Sequence, residues 1–367
     1  MPFSFDALRR WPDLEAPDLL AADAADRLIL DESAGARAGL TDGELVVIGD
    51  GYGALTLAAA ADGAQGIRVH QDDLTGEQAL AANAERTGLS GAFASHERDA
   101  ALLADARVVL LRLPRSLREL HDVAGLIALH AHPDVVVFAG GRVKHMTVAM
   151  NDVLRERFGR VDVSHARQKS RVLIARGPHD GADPTPERAR LDGLEVRAFG
   201  GAFAGASLDI GTRLLLAQLP APAAGEAVDL ACGTGIVAAT LATRHPSLRV
   251  LACDRSAIAV ASARATAAAN GVADRVAVAR DDMLRARPDG SESFIALNPP
   301  FHTGAAVSEG IAPRMFADAA RALRPGGELW TVWNSALQYR PALERLVGPT
   351  RQAARDRKFT VTVSTKR

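Results

Sequence analysis

Short unbroken apolar runs alternate along this chain with longer stretches in which apolar side chains recur every third or fourth position. The runs at 44–48, 67–70, 108–113, 133–139 and 171–175 read as buried strands, because glycine, proline or charged residues bound them. Residues 14–30 carry Leu19, Leu20, Ala24, Leu28 and Leu30 at helical spacing, and 55–61 and 76–86 read as further helices. Strand and helix alternating in this way predict a parallel sheet with helices on both faces, an α/β domain.

The polar stretch GPHDGADPTPER at 177–188 breaks this pattern. It predicts a linker over 179–190, between one domain at 1–178 and another at 191–367. Beyond it the plan restarts. Strands are expected at 226–231, 249–253, 276–279, 294–297 and 328–332, and helices at 236–244, 256–270 and 313–323. The halves also match residue by residue. Gly43-Glu44 through Gly51-x-Gly53 falls on Gly225-Glu226 through Gly233-x-Gly235 without a gap. Asp72 then falls on Asp254, and Pro114 falls close to Pro299. Leu154-Arg155-Glu156-Arg157-Phe158-Gly159 echoes Leu343-Glu344-Arg345-Leu346-Val347-Gly348. Such self-similarity predicts a duplication, two tandem Rossmann-like copies of one fold.

Only the second copy carries a full set of candidate chemistry. Asp229-Leu230-Ala231-Cys232-Gly233-Thr234-Gly235 runs from a strand into a glycine turn and a helix. Glycines let backbone approach a ligand, and the helix start offers free N–H groups. Asp254 ends the next strand, where it could accept two ribose hydroxyls. Asp281 and Asp282 end the strand after that, within reach of an adenine amino group. The fourth strand stops at Asn298-Pro299-Pro300-Phe301-His302, which sets a carboxamide, carbonyls and a ring at the edge of the sheet. The turn is DxxCGTG, not GxGxxG, which argues against a nicotinamide cofactor. In the first copy Val47 stands for Asp229, Leu113 or Arg112 for Asn298, and Pro114 is followed by Arg115. That copy is expected to be catalytically dead.

Composition narrows the picture. Net charge is −1, so there is no global case for a nucleic-acid binder. The basic residues are unevenly placed, however: over 101–178, 13 Lys and Arg face 7 Asp and Glu. Arg112, Arg115, Arg118, Arg142, Lys144, Arg167, Lys169 and Arg171 are candidates for phosphate contacts. The only cysteines, Cys232 and Cys253, fit no zinc spacing or disulfide framework and suit a reducing cytosol. No metal site is expected. The first residues show neither a basic nor an apolar leader region, and no 18-residue apolar run occurs, so neither secretion nor a membrane span is expected.

The glycine turn, the acids in register and NPPF resemble the class I S-adenosylmethionine-dependent methyltransferases. The NPP[FY] members of that class methylate poorly nucleophilic conjugated nitrogens. The resemblance implies that Asn298 and the Pro299 carbonyl accept hydrogen bonds from a substrate amine, and that Phe301 stacks on a base drawn out of its helix or loop. His302 could bond the base, and Asn334 could line the pocket. Over nearly the whole chain, a dead copy fused to an active one with NPPFH is similar to the bacterial rRNA guanine-N2 methyltransferases. Leu208-Asp209-Ile210-Gly211 resembles that family's L-D-x-G element, which implies that Asp209 and Gly211 close over the cofactor. Arg10-Trp11-Pro12 and Asp23-Ala24-Ala25-Asp26 look more like the large-subunit (23S) type than the 16S type, while Gly205 stands where the family has an arginine. The resemblance implies a cytoplasmic, monomeric enzyme acting on rRNA, either protein-free or in a subunit precursor. An adenine-N6 or protein-glutamine methyltransferase, or a non-catalytic assembly factor, are the alternatives.

Overall fold

A computed structural model describes residues 3–223, 225–300 and 305–367. Two compact units divide the chain, Met1–Thr185 and Pro186–Arg367. In the first, β1 (Leu45–Ile48), β2 (Ile67–His70), β3 (Phe93–Ser95), β4 (Val108–Arg112), β5 (Val136–Arg142), β6 (Phe158–Val163) and β7 (Ser170–Pro178) form one sheet in the order β3-β2-β1-β4-β5-β7-β6. Its helices are α1 (Ala24–Arg37), α2 (Ala54–Ala61), α3 (Leu74–Thr87), α4 (Ala100–Leu103), α5 (Leu117–His130) and α6 (Ala149–Arg155).

The second unit begins with a hairpin, β8 (Glu187–Leu191) and β9 (Leu194–Ala198), and the helix α7 (Ile210–Leu216). Its sheet contains β10 (Glu226–Leu230), β11 (Arg249–Asp254), β12 (Val276–Arg280), β13 (Glu292–Leu297), β14 (Leu323–Asn334), β15 (Thr350–Arg355) and β16 (Phe359–Thr365), ordered β12-β11-β10-β13-β14-β16-β15. The helices α8 (Ile236–Arg244), α9 (Ala257–Ala269), α10 (Ala305–Ala322) and α11 (Arg340–Leu346) complete it. Among the described residues the two sheets thus share one strand order.

Several sequence expectations are corrected. The sheets are mixed, not parallel: β7 pairs antiparallel with β5 and β6, and β16 with β14 and β15. Part of the expected linker, 187–190, is strand, because β8 pairs along its length with β9, whose own backbone is held by side chains of α9 and its C-cap. Asn270, Thr266 and Ser262 bond the backbone of Glu195, Arg197 and Phe199. The helix expected at 14–30 starts only at Ala24. Asp23 caps it by accepting from Ala25 and Asp26, and Asp26 reaches back to the Asp23 N–H, a capping box. Proline-bearing 12–17 stays outside it. Conversely α10 begins before Pro313 and carries that proline inside.

Alternation along the central strands sorts side chains onto two faces. Leu45 and Val47 pack with α1 and α2, whereas Val46 and Ile48 pack with α5. In β10, Ala227 packs on the α8 side, and Val228 and Leu230 on the α10 side. Asp229 is in phase with Ala227, so its carboxylate is carried beneath the start of α8.

Candidate active site

The second unit gathers its candidate residues at the C-terminal ends of β10, β11 and β13, where open α/β sheets bind ligands. Leaving β10, the chain bends through Ala231 (φ 57), Gly233 (φ 53) and Gly235 (φ 73). The left-handed conformation is unfavourable for alanine, which marks this turn as a strained one. A Cβ on Gly233 would meet nothing within 4 Å, so its backbone faces open space, whereas one on Gly235 would lie 2.8 Å from Ala263 of α9. One glycine opens the turn and the other lets two helices touch. The buried Asp229 carboxylate accepts the Ala238 N–H at 2.9 Å, at the positive start of α8. Asp254 accepts the Gly233 N–H at 3.0 Å and the Ser256 N–H at 2.9 Å.

Burial, and then the Asp254 charge, push the Asp229 carboxyl up from 3.8 to about 7. A carboxyl raised on folding binds its proton more tightly folded than unfolded. Its stabilising contribution is therefore complete below pH 3.8 and is lost as pH rises through about 7. Relative to Asp229→Asn, the wild-type thermal midpoint is expected to fall between these pH values and to stay level above them. Parallel melting curves for the two proteins across that range would contradict this assignment.

Asn298 follows β13 and is half-buried, with Pro299 buried behind it. Its Nδ2 donates to Thr212 Oγ1 at 2.8 Å and to Asp209 Oδ2 at 3.3 Å, while its Oδ1 is buried and has no hydrogen-bond partner. A buried acceptor left open in this way is costly and rare, and it is the kind of group a ligand satisfies. Asp209 is thus turned toward the motif asparagine. Gly211 is buried behind it, where a Cβ would stand 3.0 Å from Asp209 Oδ2 and 3.2 Å from the Phe359 ring. Sequence reasoning missed Thr212, a common residue type whose link to Asn298 spans 86 positions. Phe301 and His302 lie outside the described residues.

Asp281 is half-buried and accepts the Ala286 N–H at 3.0 Å; burial is the main cause of its raised pKa. Asp282 is buried beside Arg285 at 3.6 Å. Asn334 caps the short helical turn after β14 by accepting the Ala336 N–H, so its side chain is engaged in structure. Gly205 adopts a left-handed φ of 56°, a conformation that an arginine would hold only under strain. The Cys232 N–H donates to the Cys253 carbonyl at 3.0 Å. Both thiols are free and buried, and burial raises their pKa values, so neither is a nucleophile. Among the described residues no group of His, Cys, Asp and Glu could hold a metal ion, and no helix is long and apolar enough to cross a membrane.

Strand register sharpens the comparison of the halves. Ile48 pairs with His70 and Leu111, and Leu230 with Cys253 and Leu297. Gln71, not Asp72, therefore occupies the place of Asp254, and it accepts the Gly51 N–H as Asp254 accepts that of Gly233. Arg112 occupies the place of Asn298, and Pro114 that of Pro300. Asp50, at the position of Cys232, bonds the N–H groups of Leu55 and Thr56 at the start of α2, and burial lifts its pKa to about 6. Arg112 is 2.9 Å from both Asp23 and Asp26. Burial raises Asp26 to about 7 even beside that arginine.

Arg112, one of the expected phosphate contacts, is thus engaged by two acids. Arg118 is likewise engaged, with Asp122 and the Thr185 carbonyl, and Arg167 pairs with Asp31. Arg115, Arg142, Lys144 and His145 do converge, lining with Arg112 a cleft of about 360 Å³ at the C-terminal ends of β4 and β5. Partial desolvation, then Arg115, Lys144 and Arg142, hold the His145 imidazole below its usual range. Lys169 is exposed, and its carbonyl accepts the Val143 N–H. Arg171 is half-buried, opposite Gly141 in the sheet.

Fold and site together define a class I methyltransferase. The family model described as the Methyltransferase small domain matches residues 193–363, and the RLMG N-terminal domain matches 2–179. The "Ribosomal RNA large subunit methyltransferase G" of Streptomyces coelicolor is 36% identical over 100% of this chain and 99% of its own length. That of Shewanella amazonensis is 33% identical over 98% and 96%. The chain belongs to the ribosomal RNA large subunit methyltransferase G family. A solved structure, the T. thermophilus 16S rRNA N2 G1207 methyltransferase (RsmC) in complex with AdoMet and guanosine, shares the fold. Its TM-score is 0.75 at 20% identity, covering 94% of this chain and 92% of that one.

Proposed function

We propose that this protein transfers a methyl group from S-adenosylmethionine to the exocyclic N2 of a guanine in rRNA, most favourably 23S rRNA, as a cytoplasmic monomer. The observation that carries the reading is the buried, unpartnered Asn298 Oδ1 at the end of β13. The residues beside it suit the cofactor: an open glycine turn at Gly233, the Asp254 carboxylate for ribose hydroxyls, and Asp281 and Asp282 toward the adenine end. Bound there, S-adenosylmethionine supplies a sulfonium-activated methyl group.

The protein's own task is to present the amine. The guanine N2 lone pair is conjugated with its ring and is a poor nucleophile. Two acceptors, Asn298 Oδ1 and the Pro299 carbonyl, would hold the N–H groups and direct the lone pair out of the ring plane. They would also stabilise the positive charge that develops on nitrogen. Phe301 would stack on the base and His302 would bond its edge. The nitrogen would take the methyl as its bond to sulfur breaks, the cofactor leaving as a neutral thioether, and the acidic proton then carried by the nitrogen would pass to water, so no strong general base is needed. The first unit is read as a degenerate duplicate in which Gln71 and Arg112 replace the acid and the amide. Its cleft, with Arg115, Arg142 and Lys144, would take RNA phosphates, helped by Lys169 and Arg171.

The test is to incubate the protein and methyl-labelled cofactor with protein-free 23S and 16S rRNA, assembled subunits and release factor. N2-methylguanosine in large-subunit RNA is the expected product. Label confined to adenosine or to release factor would refute the proposal.

A further inference from the structure

We propose that Asp209 and Thr212 are positioning residues that lock the Asn298 carboxamide in one of its two flip states, so that the site accepts an amine and rejects a carbonyl. This rests on the methyl-transfer reading of the site. The two flip states of a carboxamide have nearly the same shape but opposite chemistry, since one presents an oxygen acceptor and the other an N–H donor. Asp209 settles which is present. Its Oδ2 already accepts the Thr212 N–H at 3.2 Å, so the amide atom facing that oxygen at 3.3 Å is the nitrogen, and Thr212 Oγ1 at 2.8 Å takes its other proton. The flipped state would set two oxygens against each other. With both Nδ2 protons engaged, Oδ1 is left facing the other way, buried and open.

The locking pair is itself held. Asp209 is the N-cap of α7, and its Oδ2 also accepts the Thr212 N–H at 3.2 Å. Gly211 leaves the carboxylate its place, since a Cβ there would stand 3.0 Å from Oδ2. The first unit repeats the device with a different end-group. Its N-cap acid, Asp23 of α1, holds Arg112, the residue in register with Asn298. A guanidinium has donors only, so the same clamp there leaves no acceptor. A capping acid that fixes the residue at the end of the fourth strand thus occurs in both units, but only in the second does it aim an acceptor. A guanine carries an amine at N2 and a carbonyl at O6, and the amide flip decides which of the two the site can hold.

The test combines activity with a direct view of the amide. Single-turnover methylation of rRNA at saturating cofactor is compared for wild type, Thr212→Val, Thr212→Ser and Asp209→Asn, with cofactor affinity measured by calorimetry. Thr212→Val and Asp209→Asn are expected to slow methyl transfer about 10- to 100-fold, a cost typical of a misoriented reacting group, while cofactor affinity changes less than about twofold in Thr212→Val. Thr212→Ser should restore the rate. In an Asn298→Ala background Asp209→Asn should cause no further slowing, which a merely structural role would not predict. Independently of turnover, the Asn298 side-chain amide resonances, identified by their loss in Asn298→Ala, should be protected from solvent exchange in wild type and lose protection in Thr212→Val. An unprotected wild-type amide, a serine variant as slow as valine, or additive losses in the double variant would each overturn the lock. Failure of wild type to methylate any RNA would count against the functional reading alone, since the amide signals judge the lock separately.

Discussion

Truncating Asn298 to alanine is expected to lower the rate of methyl transfer by about 100- to 1,000-fold, with cofactor affinity changed only a few-fold. Among the described residues of the site, Asn298 Oδ1 is the side-chain acceptor that is both buried and open, and the substitution deletes it. Its interaction with the substrate amine strengthens as charge develops on nitrogen, so its loss falls on the chemical step more than on binding. Burst or single-turnover kinetics separate the two. A variant that keeps its turnover and loses only substrate affinity would show Asn298 to be a binding residue, and full function without turnover would favour an assembly role.

Replacing Asp254 by alanine is expected to weaken S-adenosylmethionine binding by about 100-fold, as read by calorimetry. The carboxylate accepts the N–H groups of Gly233 and Ser256, which hold it at the end of β11 beside the glycine turn. Two charge-assisted bonds to ribose hydroxyls, each worth about 1.5 kcal/mol, amount to roughly that factor. The first unit supplies a control. Gln71 makes the matching bond to Gly51, and Gln71→Ala should leave cofactor affinity unchanged. Equal losses in the two variants would mean that the second unit is not the cofactor site.

The glycine turn, the acid that ends β11 and NPPF were legible in the sequence because each stands at the end of an apolar run. The antiparallel edge strands β6 and β15 were less so. They are short and largely exposed, and their pattern is that of a loop until a partner strand is known. The same holds for the β8–β9 hairpin, which α9 side chains hold in place. The gapless comparison of the halves was off by one residue at Asp72, because it cannot see that the strand-to-strand spacing differs by one. Hydrogen-bond register placed Gln71 there and chose Arg112 over Leu113.

By itself the sequence determined the alternation of strands and helices, the repeat of that plan, and the presence of one complete set of ligand-binding residue types. These follow from local periodicity and from the restricted backbone of glycine and proline. Only the tertiary structure decided what those residues do to one another. Asp209 and Asn298 are 89 positions apart, and no local pattern records that the cap of one helix faces the end of one strand. The direction of a carboxamide, and hence whether the site offers an oxygen or an N–H, depends on that through-space contact.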